Sequence, residues 1–316
     1  MRIVITGPTG TIGMALIHQC IKEKKEVLAI CHRNSANMKK IPQSSYVTVL
    51  EADLSELKDL VVPDKKYDVF YHLAWAGTTG NERNDMRLQL FNISCSLDAV
   101  HLAKRLGCST FVGAGSQAEY GRFEGKLTAD TPAFPENGYG MAKLCAGQMS
   151  RAECKKLGLK CIWVRILSVY GPFGSNNSMI NGTVQKLLSG QSADFTSGEQ
   201  IWDYLYCEDA AKALSLAAQK GKDGKVYVLG SGKGRALKEY IDILSKAVTE
   251  VTGRKADVRL GAVPYAENQI MHLEADVSEL AKDTGFTPEI FFEEGVRRTI
   301  AAIYNEIQHT TEAYKA

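Results

Sequence analysis

Short apolar runs alternate with longer amphipathic stretches through the first half of the chain. The apolar runs are rich in Val, Ile and Tyr, as buried strands are, and the amphipathic stretches repeat apolar residues at helical spacing. Successive strand–helix units of this length require parallel strands joined by right-handed crossovers. The pattern therefore predicts an α/β fold, a doubly wound parallel sheet with helices on both faces. Strands are predicted over 2–6, 26–31, 46–50, 67–72, 109–113 and 159–166, and helices over 11–24, 85–106 and 139–157.

Three glycines follow the first predicted strand at intervals of three residues: Gly7, Gly10 and Gly13. Gly7 allows a tight turn, Gly10 allows the backbone to approach a diphosphate, and Gly13 allows the next helix to pack close to the strand. The helix N-terminus offers free N–H groups and a positive dipole end to the phosphates. A plain glycine-rich turn is the alternative, but the position straight after a strand favours a Rossmann-type dinucleotide site.

The end of the second predicted strand indicates which dinucleotide binds. Folds that bind NAD place Asp or Glu there, where the carboxylate hydrogen-bonds the ribose 2′-hydroxyl. This chain has Arg33 within the polar segment 31–35. A guanidinium suits a 2′-phosphate, which a carboxylate would repel. We therefore predict NADP(H) in preference to NAD(H), with a solvated basic loop as the alternative.

Tyr139 and Lys143 lie four residues apart at the start of a predicted helix, so they share one helical face. An ammonium beside a phenol favours the phenolate and lowers the tyrosine pKa from about 10, which suits general acid–base work. Ser116 closes the fifth predicted strand, at the sheet edge where ligands bind in such folds. The tyrosine–lysine pair alone is common on helix surfaces, but with Ser116 and the glycines it predicts a catalytic set.

Together these motifs resemble the extended short-chain dehydrogenase/reductase family of nucleotide-sugar epimerases, dehydratases and ketoreductases, over essentially the whole chain. The resemblance implies that Ser116, Tyr139 and Lys143 are catalytic, that Tyr139 exchanges a proton with a sugar hydroxyl or ketone, and that Lys143 holds the nicotinamide ribose. It also implies that Asp53 meets the adenine ring and that the backbone of 72–77 lines the cofactor. The predicted cofactor-binding residues are Gly7, Thr9, Gly10, Thr11, Ile12, Gly13, Arg33, Asp53, Leu54, Leu73, Ala74, Ala76, Asn92 and Lys143.

Two departures from the family pattern concern the substrate. Dehydratases carry Thr-Asp-Glu where this chain has Ser, Gln117 and Ala118, which cannot supply the further acid and base that elimination needs, so dehydration is not predicted. Trp202 replaces an arginine that commonly meets the nucleotide phosphates, and either stacks on the base or belongs to the core. Ser168 replaces a usual asparagine. Lys233, Arg165 and Arg235 are the candidates for the missing charge, and the predicted substrate-binding residues are Gln117, Ser168, Arg165, Trp202 and Arg235.

The predicted cofactor bears on the reaction, because a ketoreductase consumes NADPH whereas an epimerase recycles bound cofactor and usually prefers NAD. Segments 75–79, 115–121 and 202–206 also resemble 4-ketoreductases of the abequose and paratose synthase type. The leading hypothesis is NADP(H)-dependent reduction of a nucleoside-diphospho-4-keto-6-deoxyhexose at C4, with Tyr139 as proton donor. The alternatives are a nucleotide-sugar 4-epimerase, a reductase of a non-nucleotide carbonyl, and a non-catalytic NADP-binding redox sensor.

The second half has a less regular pattern, with no linker or repeat that would separate it. We predict a NAD(P)-binding Rossmann domain over 1–170 and a smaller α/β nucleotide-sugar-binding lobe over 171–316 that shares its core. Short helices are predicted over 180–188, 208–219 and 238–252, and short strands over 204–207, 226–229 and 258–260.

Composition adds few constraints. The net charge of +2 over 316 residues gives no argument for nucleic acid or an anionic membrane. The eight cysteines lack metal-ligand spacing, so no metal site is predicted, and they fit buried thiols in a reducing cytoplasm. No signal peptide or membrane span is predicted. The family resemblance implies a homodimer through the helices predicted over 85–106 and 139–157.

Overall fold

A computed structural model describes residues 1–62 and 66–313, with side chains of the last helix described to residue 308. Within those residues the strands are β1 (Arg2–Thr6), β2 (Glu26–Cys31), β3 (Val47–Glu51), β4 (Val69–His72), β5 (Thr110–Ser116), β6 (Lys126–Leu127), β7 (Lys160–Ile166), β8 (Ser168–Tyr170), β9 (Ala193–Asp194), β10 (Ile201–Trp202), β11 (Tyr204–Tyr206), β12 (Val226–Leu229), β13 (Arg235–Ala236), β14 (Val258–Arg259) and β15 (His272–Ala275). The helices are α1 (Thr11–Lys22), α2 (Met86–Arg105), α3 (Gly138–Leu157), α4 (Met179–Leu188), α5 (Cys207–Lys220), α6 (Leu237–Thr252), α7 (Ser278–Thr284) and α8 (Phe292–Ala313).

Seven parallel strands form the main sheet, in the order β12-β7-β5-β4-β1-β2-β3. The strand order reverses between β1 and β4, and in open sheets of this kind ligands bind at the carboxyl ends of the strands beside that point. The predicted fold class is confirmed. Most predicted helices and strands end within two residues of those observed.

Strand β5 runs three residues beyond its predicted end, because its glycines make room for a large neighbour. A Cβ on Gly113 would lie 2.3 Å from Trp163 of β7, and a Cβ on Gly115 would lie 2.4 Å from the same indole. These glycines therefore belong to the strand and not to a turn. The longer strand places Ser116 level with Ile166 at the carboxyl edge, where it was predicted.

The core lies on both faces of the sheet, because successive side chains of each strand point to opposite sides. In β1, Ile3 and Ile5 belong to one hydrophobic cluster and Val4 to the other. Each such fully buried side chain contributes roughly 1.5–3 kcal/mol. The pattern in the second half does not predict α8, whose residues Val296 and Ile300 are buried against the first cluster.

The second half is interleaved with the first. Strand β12 completes the main sheet beside β7, and α5 packs on α1. A four-stranded sheet in the order β13-β10-β15-β6 forms the smaller lobe, and the short β8–β11 pair lies between the two regions of the chain. The shared sheet agrees with the predicted common core, while the boundary at residue 170 stays a prediction.

Candidate active site

The glycine loop closes tightly on itself and on the end of β4. Gly7 has a φ of +71°, and a Cβ there would lie 2.7 Å from the backbone N of Ala74. A Cβ on Gly13 would lie 2.2 Å from the carbonyl O of Gly7. A Cβ on Gly10 would meet only that same oxygen, at an ordinary 3.7 Å. The fold thus requires glycine at positions 7 and 13, whereas the space beside Gly10 is left for a ligand.

The N-terminus of α1 lies at this loop, and no acidic side chain in its first turn would compete with a phosphate. Gly10 is the N-cap, no side chain caps it, and the first turn has no acidic residue. The hydroxyl of Thr9 accepts a hydrogen bond from Ser35 at 2.9 Å, which ties the loop to the end of β2. Uncapped N–H groups at the positive end of a helix suit a diphosphate, so the predicted residues 9–13 form a coherent phosphate site.

Arg33 does not stand free beside this loop. Its guanidinium pairs with Glu56 through both terminal nitrogens, one of them at 2.8 Å, and Nη1 lies 3.4 Å from Oδ2 of Asp53. The bond from Arg33, followed by the backbone N–H of Asp53, lowers the pKa of Glu56 to about 2. The sequence did not single out Glu56, which is the carboxylate that a 2′-phosphate must displace from Arg33.

Asp53 has a buried oxygen that fits the predicted adenine contact. Among the described residues, its Oδ1 has no hydrogen-bond partner, although Nε2 of His32 lies 3.4 Å away. A buried acceptor without a donor costs free energy, which an adenine amino group would relieve. Leu54 follows directly and is half-buried against the adjacent hydrophobic cluster.

The segment after β4 is held by a buried amide of α2, that of Asn92. Asn92 accepts from the backbone N of Ala76 at 2.9 Å and donates to its carbonyl O at 2.9 Å. The N–H of Leu73 donates to the carbonyl O of Thr6, next to the glycine loop. Since both backbone groups of Ala76 are engaged, Asn92 shapes the cofactor wall, and direct cofactor contacts from these two residues stay a prediction.

The three predicted catalytic residues converge at the carboxyl edge of β5. Ser116 is buried, and its side chain lies close enough to the Tyr139 phenol to lower the pKa of that phenol. Lys143, one turn further along α3, donates from Nζ to the carbonyl O of Ala114 at 2.7 Å. Asn137 caps α3 through Gly140, which fixes the first turn that carries the tyrosine.

Burial changes the proton affinities of this set. Desolvation raises the pKa of Tyr139, and the Ser116 hydrogen bond and the charge of Arg83 oppose it. Desolvation also lowers the pKa of Lys143 to about 7, against the attraction of Glu119. Lys143 is not among the groups that shift the Tyr139 pKa here, so the expectation that it lowers that pKa stays a prediction.

A buried carboxylate, not predicted as part of the site, supports Ser116 from behind. Glu119 is fully buried and accepts from the backbone N of Ser116 at 2.9 Å, from Trp163 Nε1 at 3.0 Å and from Arg165 Nε at 2.7 Å. Arg165 also lies 4.5 Å above the Tyr120 ring. Its guanidinium is therefore committed to the interior, and the predicted contact of Arg165 with substrate finds no support in this arrangement.

Three of the other predicted substrate residues, Ser168, Trp202 and Arg235, are neighbours in the structure. Gln117 follows Ser116 and is half-buried. Trp202 donates from Nε1 to the hydroxyl of Ser168 at 2.8 Å, so this tryptophan is anchored at the site and is half-buried. Arg235 pairs with Trp202 across β10 and β13, which places both side chains on one face of the small sheet.

Two residues that the sequence did not single out border Tyr139. The Trp75 ring meets the Tyr139 ring edge-on at 6.1 Å, and Lys143 Nζ lies 3.8 Å from the Trp75 ring centroid. The Arg83 guanidinium lies 4.3 Å from the Tyr139 ring centroid. No spacing rule connects positions 75 and 83 with 139, because only the fold brings their segment against the start of α3.

Comparison with known proteins identifies the family. The model of the NAD dependent epimerase/dehydratase family matches residues 3–230. The chain belongs to this family. The predicted resemblance is thereby confirmed, and the chain is an enzyme of the extended short-chain dehydrogenase/reductase type. The residues around Gly10 and Asp53 fit the nicotinamide dinucleotide that the family uses.

Individual relatives cover nearly the whole chain at low identity. A UDP-glucuronate 4-epimerase of Thermodesulfobacterium geofontis is 26% identical over 94% of this chain and 94% of its own length. The UDP-N-acetylglucosamine 4-epimerase from Methanobrevibacter ruminantium, solved with UDP-N-acetylmuramic acid, superimposes with a TM-score of 0.85 at 24% identity over 96% of this chain and 98% of that one. A UDP-glucuronic acid 4-epimerase from Bacillus cereus, solved with UDP-glucuronic acid and NAD, gives 0.82 at 20% identity over 97% and 100%.

None of the helices described is long and apolar enough to cross a membrane. No group of three or more His, Cys, Asp or Glu side chains in the same part of the chain is arranged to hold a metal ion.

Proposed function

We propose that this protein reduces a nucleoside-diphospho-4-keto-6-deoxyhexose at C4 with a nicotinamide cofactor. The observation that carries the proposal is the position of Tyr139 beside Ser116, at the carboxyl edge of the strands that end next to the glycine loop. The adjacent Gln117 and Ala118 offer no second acid or base. One proton donor with one hydride donor is sufficient for ketone reduction.

The residues of the chain supply binding and the proton. When bound, the reduced nicotinamide supplies the hydride that adds to C4. Tyr139 donates its phenolic proton to the C4 oxygen as the carbonyl becomes an alcohol, and the tyrosinate is then reprotonated from solvent. Ser116 orients the same oxygen through its hydroxyl. Glu119 fixes the backbone of Ser116 and so preserves the distance between the serine and the tyrosine.

The nucleotide end of the substrate is assigned to the surface of Ser168, Trp202 and Arg235. In the sheets, Ser116 is level with Ile166, and Ser168 is level with Tyr204. Trp202 lies two residues before Tyr204 and pairs with Arg235 across β10 and β13, so we assign Arg235 to the same end of the substrate. Arg235 also lines a cavity of about 240 Å³ with Lys233 and aromatic side chains, which supports a charged and stacking site.

For the cofactor we propose NADP(H) in preference to NAD(H), on the charge of Arg33. Replacing Arg33 with alanine is expected to raise the KM for NADPH about tenfold and leave that for NADH nearly unchanged. Glu56→Gln is expected to lower the KM for NADPH, because it frees the guanidinium from its competing carboxylate. Steady-state kinetics with both cofactors measures this, with Lys39→Ala as the control. Equal effects of Arg33→Ala on both cofactors would contradict the preference.

The second candidate is a nucleotide-sugar 4-epimerase, favoured by the names of the relatives, which include epimerases solved with NAD. A single panel separates the candidates: the protein is mixed with NADPH and with NDP-4-keto-6-deoxyhexoses, UDP-glucose and UDP-glucuronic acid. Stoichiometric loss of nicotinamide absorbance supports the reductase. Interconversion of the UDP-sugars without cofactor consumption supports the epimerase. Tight NADP binding with neither outcome supports a redox sensor.

We also propose a homodimer in a reducing, cytoplasmic setting. Five large apolar side chains on α2 and α3 are exposed by 39–64%, and a second copy would cover them. They are Met86, Leu90, Phe91, Met141 and Met149. Leu90→Asp combined with Met149→Asp is expected to convert the dimer into a monomer in sedimentation velocity. Val61 is 87% exposed but lies outside α2 and α3, so the control Val61→Asp is expected to leave the dimer intact. A monomeric wild type would exclude this interface.

The proposed reducing compartment fits the cysteines, which are free thiols.

A further inference from the structure

A guanidinium lies closer to the ring of the proposed proton donor than the lysine does. Arg83 Cζ is 4.3 Å from the Tyr139 ring centroid, whereas Lys143 Nζ is 5.9 Å away. Lys143 is directed elsewhere, with its ammonium on the carbonyl O of Ala114 and against the Trp75 ring. Arg83 is therefore the nearer of these two cations to Tyr139.

The segment that carries Arg83 is fixed by protein contacts. Arg83 Nη1 donates to the carbonyl O of Thr78 at 3.0 Å, within the same loop. The next residue, Asn84, accepts from the backbone N of Gly138 at 3.0 Å, directly before Tyr139. The loop is thus docked on the first turn of α3, and the guanidinium is held at the tyrosine before any ligand binds.

A second side chain, Trp75, also contacts the tyrosine ring. Trp75 meets it edge-on, at an interplanar angle of 86°. The indole Nε1 donates to the side chain of Gln89 at 2.9 Å, and that amide is buried. Gln89 in turn donates to the carbonyl O of Gly77 and of Glu82, on both sides of the loop. The phenol ring therefore contacts two side chains, Arg83 and Trp75, that are themselves anchored.

The charge of Arg83 persists where that of Lys143 does not. Burial lowers the pKa of Lys143 to about 7, so its ammonium is partly neutral at physiological pH. A guanidinium stays protonated throughout this range. The groups that face Tyr139 are Ser116 and Arg83, which lower its pKa, and Glu119, which raises it, while burial is the largest influence and raises it. Arg83 is the cation in this set.

We propose that Arg83 is a positioning residue for Tyr139: its guanidinium holds the phenol ring in place and supplies a fixed positive charge beside it when the proton leaves. This inference rests on the proposed proton transfer by Tyr139. It assigns to Arg83 part of the electrostatic role that the sequence pattern gives to Lys143 alone.

Kinetics of Arg83→Met tests the inference during turnover. We expect kcat for NADPH-dependent ketone reduction to fall about tenfold, because a stacked cation has been lost, while KM changes little. In the reverse oxidation, which needs the tyrosinate, the acid limb of kcat should move up by about one pH unit. Arg83→Lys should recover part of both changes, and Arg87→Met, an exposed change on the neighbouring helix, should alter neither. An unshifted limb in Arg83→Met would overturn the inference.

A second measurement does not depend on turnover. The chain has 13 tyrosines, so the tyrosinate absorbance of Tyr139 is isolated by subtracting the pH-jump titration of Tyr139→Phe. The same subtraction is made in the Arg83→Met background, with both pairs loaded with NADP. We expect the titration midpoint of Tyr139 to be about one pH unit higher without Arg83. Equal midpoints would refute the role of Arg83, whereas absence of turnover in the panel refutes only the proposed reaction.

Discussion

Tyr139→Phe is expected to lower kcat for ketone reduction about 10³-fold, because it removes the proposed proton donor and changes nothing else of comparable size. The ring remains, so its contacts with Arg83 and Trp75 persist. The hydroxyl, whose pKa the neighbouring Ser116 lowers, is lost. Dissociation constants for NADPH and substrate should change less than about threefold, since neither the glycine loop nor Trp202 is touched.

The measurement combines stopped-flow nicotinamide absorbance with equilibrium binding followed by tryptophan fluorescence. Tyr304→Phe, a half-buried tyrosine on α8, is the matched control and should keep full activity. Near-wild-type turnover in Tyr139→Phe would eliminate the proposed mechanism. Loss of cofactor binding together with turnover would instead indicate that the tyrosine is structural.

Regular features of the fold were open to prediction, because local sequence determines them. The doubly wound sheet follows from alternating strand and helix patterns, and Gly7 and Gly13 follow from a loop that admits no Cβ at either position. The proximity of Tyr139 and Lys143 on α3 was predictable, because a helix fixes the geometry of residues four apart.

Features that depend on contacts between distant segments were not predictable from spacing. Glu56 neutralises Arg33 only because the turn after β3 folds beside the end of β2, and Arg83 reaches Tyr139 only because its loop docks on α3. The pairing of Arg165 with Glu119 was not predictable for the same reason, and the substrate contact of Arg165 stays a prediction. From the sequence alone, an arginine in a strand next to the active site is interpreted as a substrate ligand, because the sequence does not show that Glu119 is its buried partner.

The Arg165–Glu119 pair gives the second large prediction, on stability. Arg165→Met leaves the fully buried carboxylate of Glu119 without its cation, since the side chains of the pair are only 7% and 0% exposed. Breaking a buried pair in this way costs about 3–5 kcal/mol. Without Arg165, Glu119 would no longer hold the backbone of Ser116 in its correct position. Activity should therefore fall together with the free energy of unfolding.

Two matched variants separate the cost of leaving a buried charge unpaired from the cost of removing an arginine side chain. Glu119→Gln combined with Arg165→Met should recover more than half of the lost stability, because the amide oxygen still accepts from Ser116 and Trp163 while no charge is left unpaired. Arg122→Met breaks the exposed pair with Glu136 and should cost less than about 1 kcal/mol. Urea unfolding of the four proteins gives these differences. If the double variant were no more stable than Arg165→Met alone, packing by the arginine side chain, and not its charge, would be what stabilises this edge of the site.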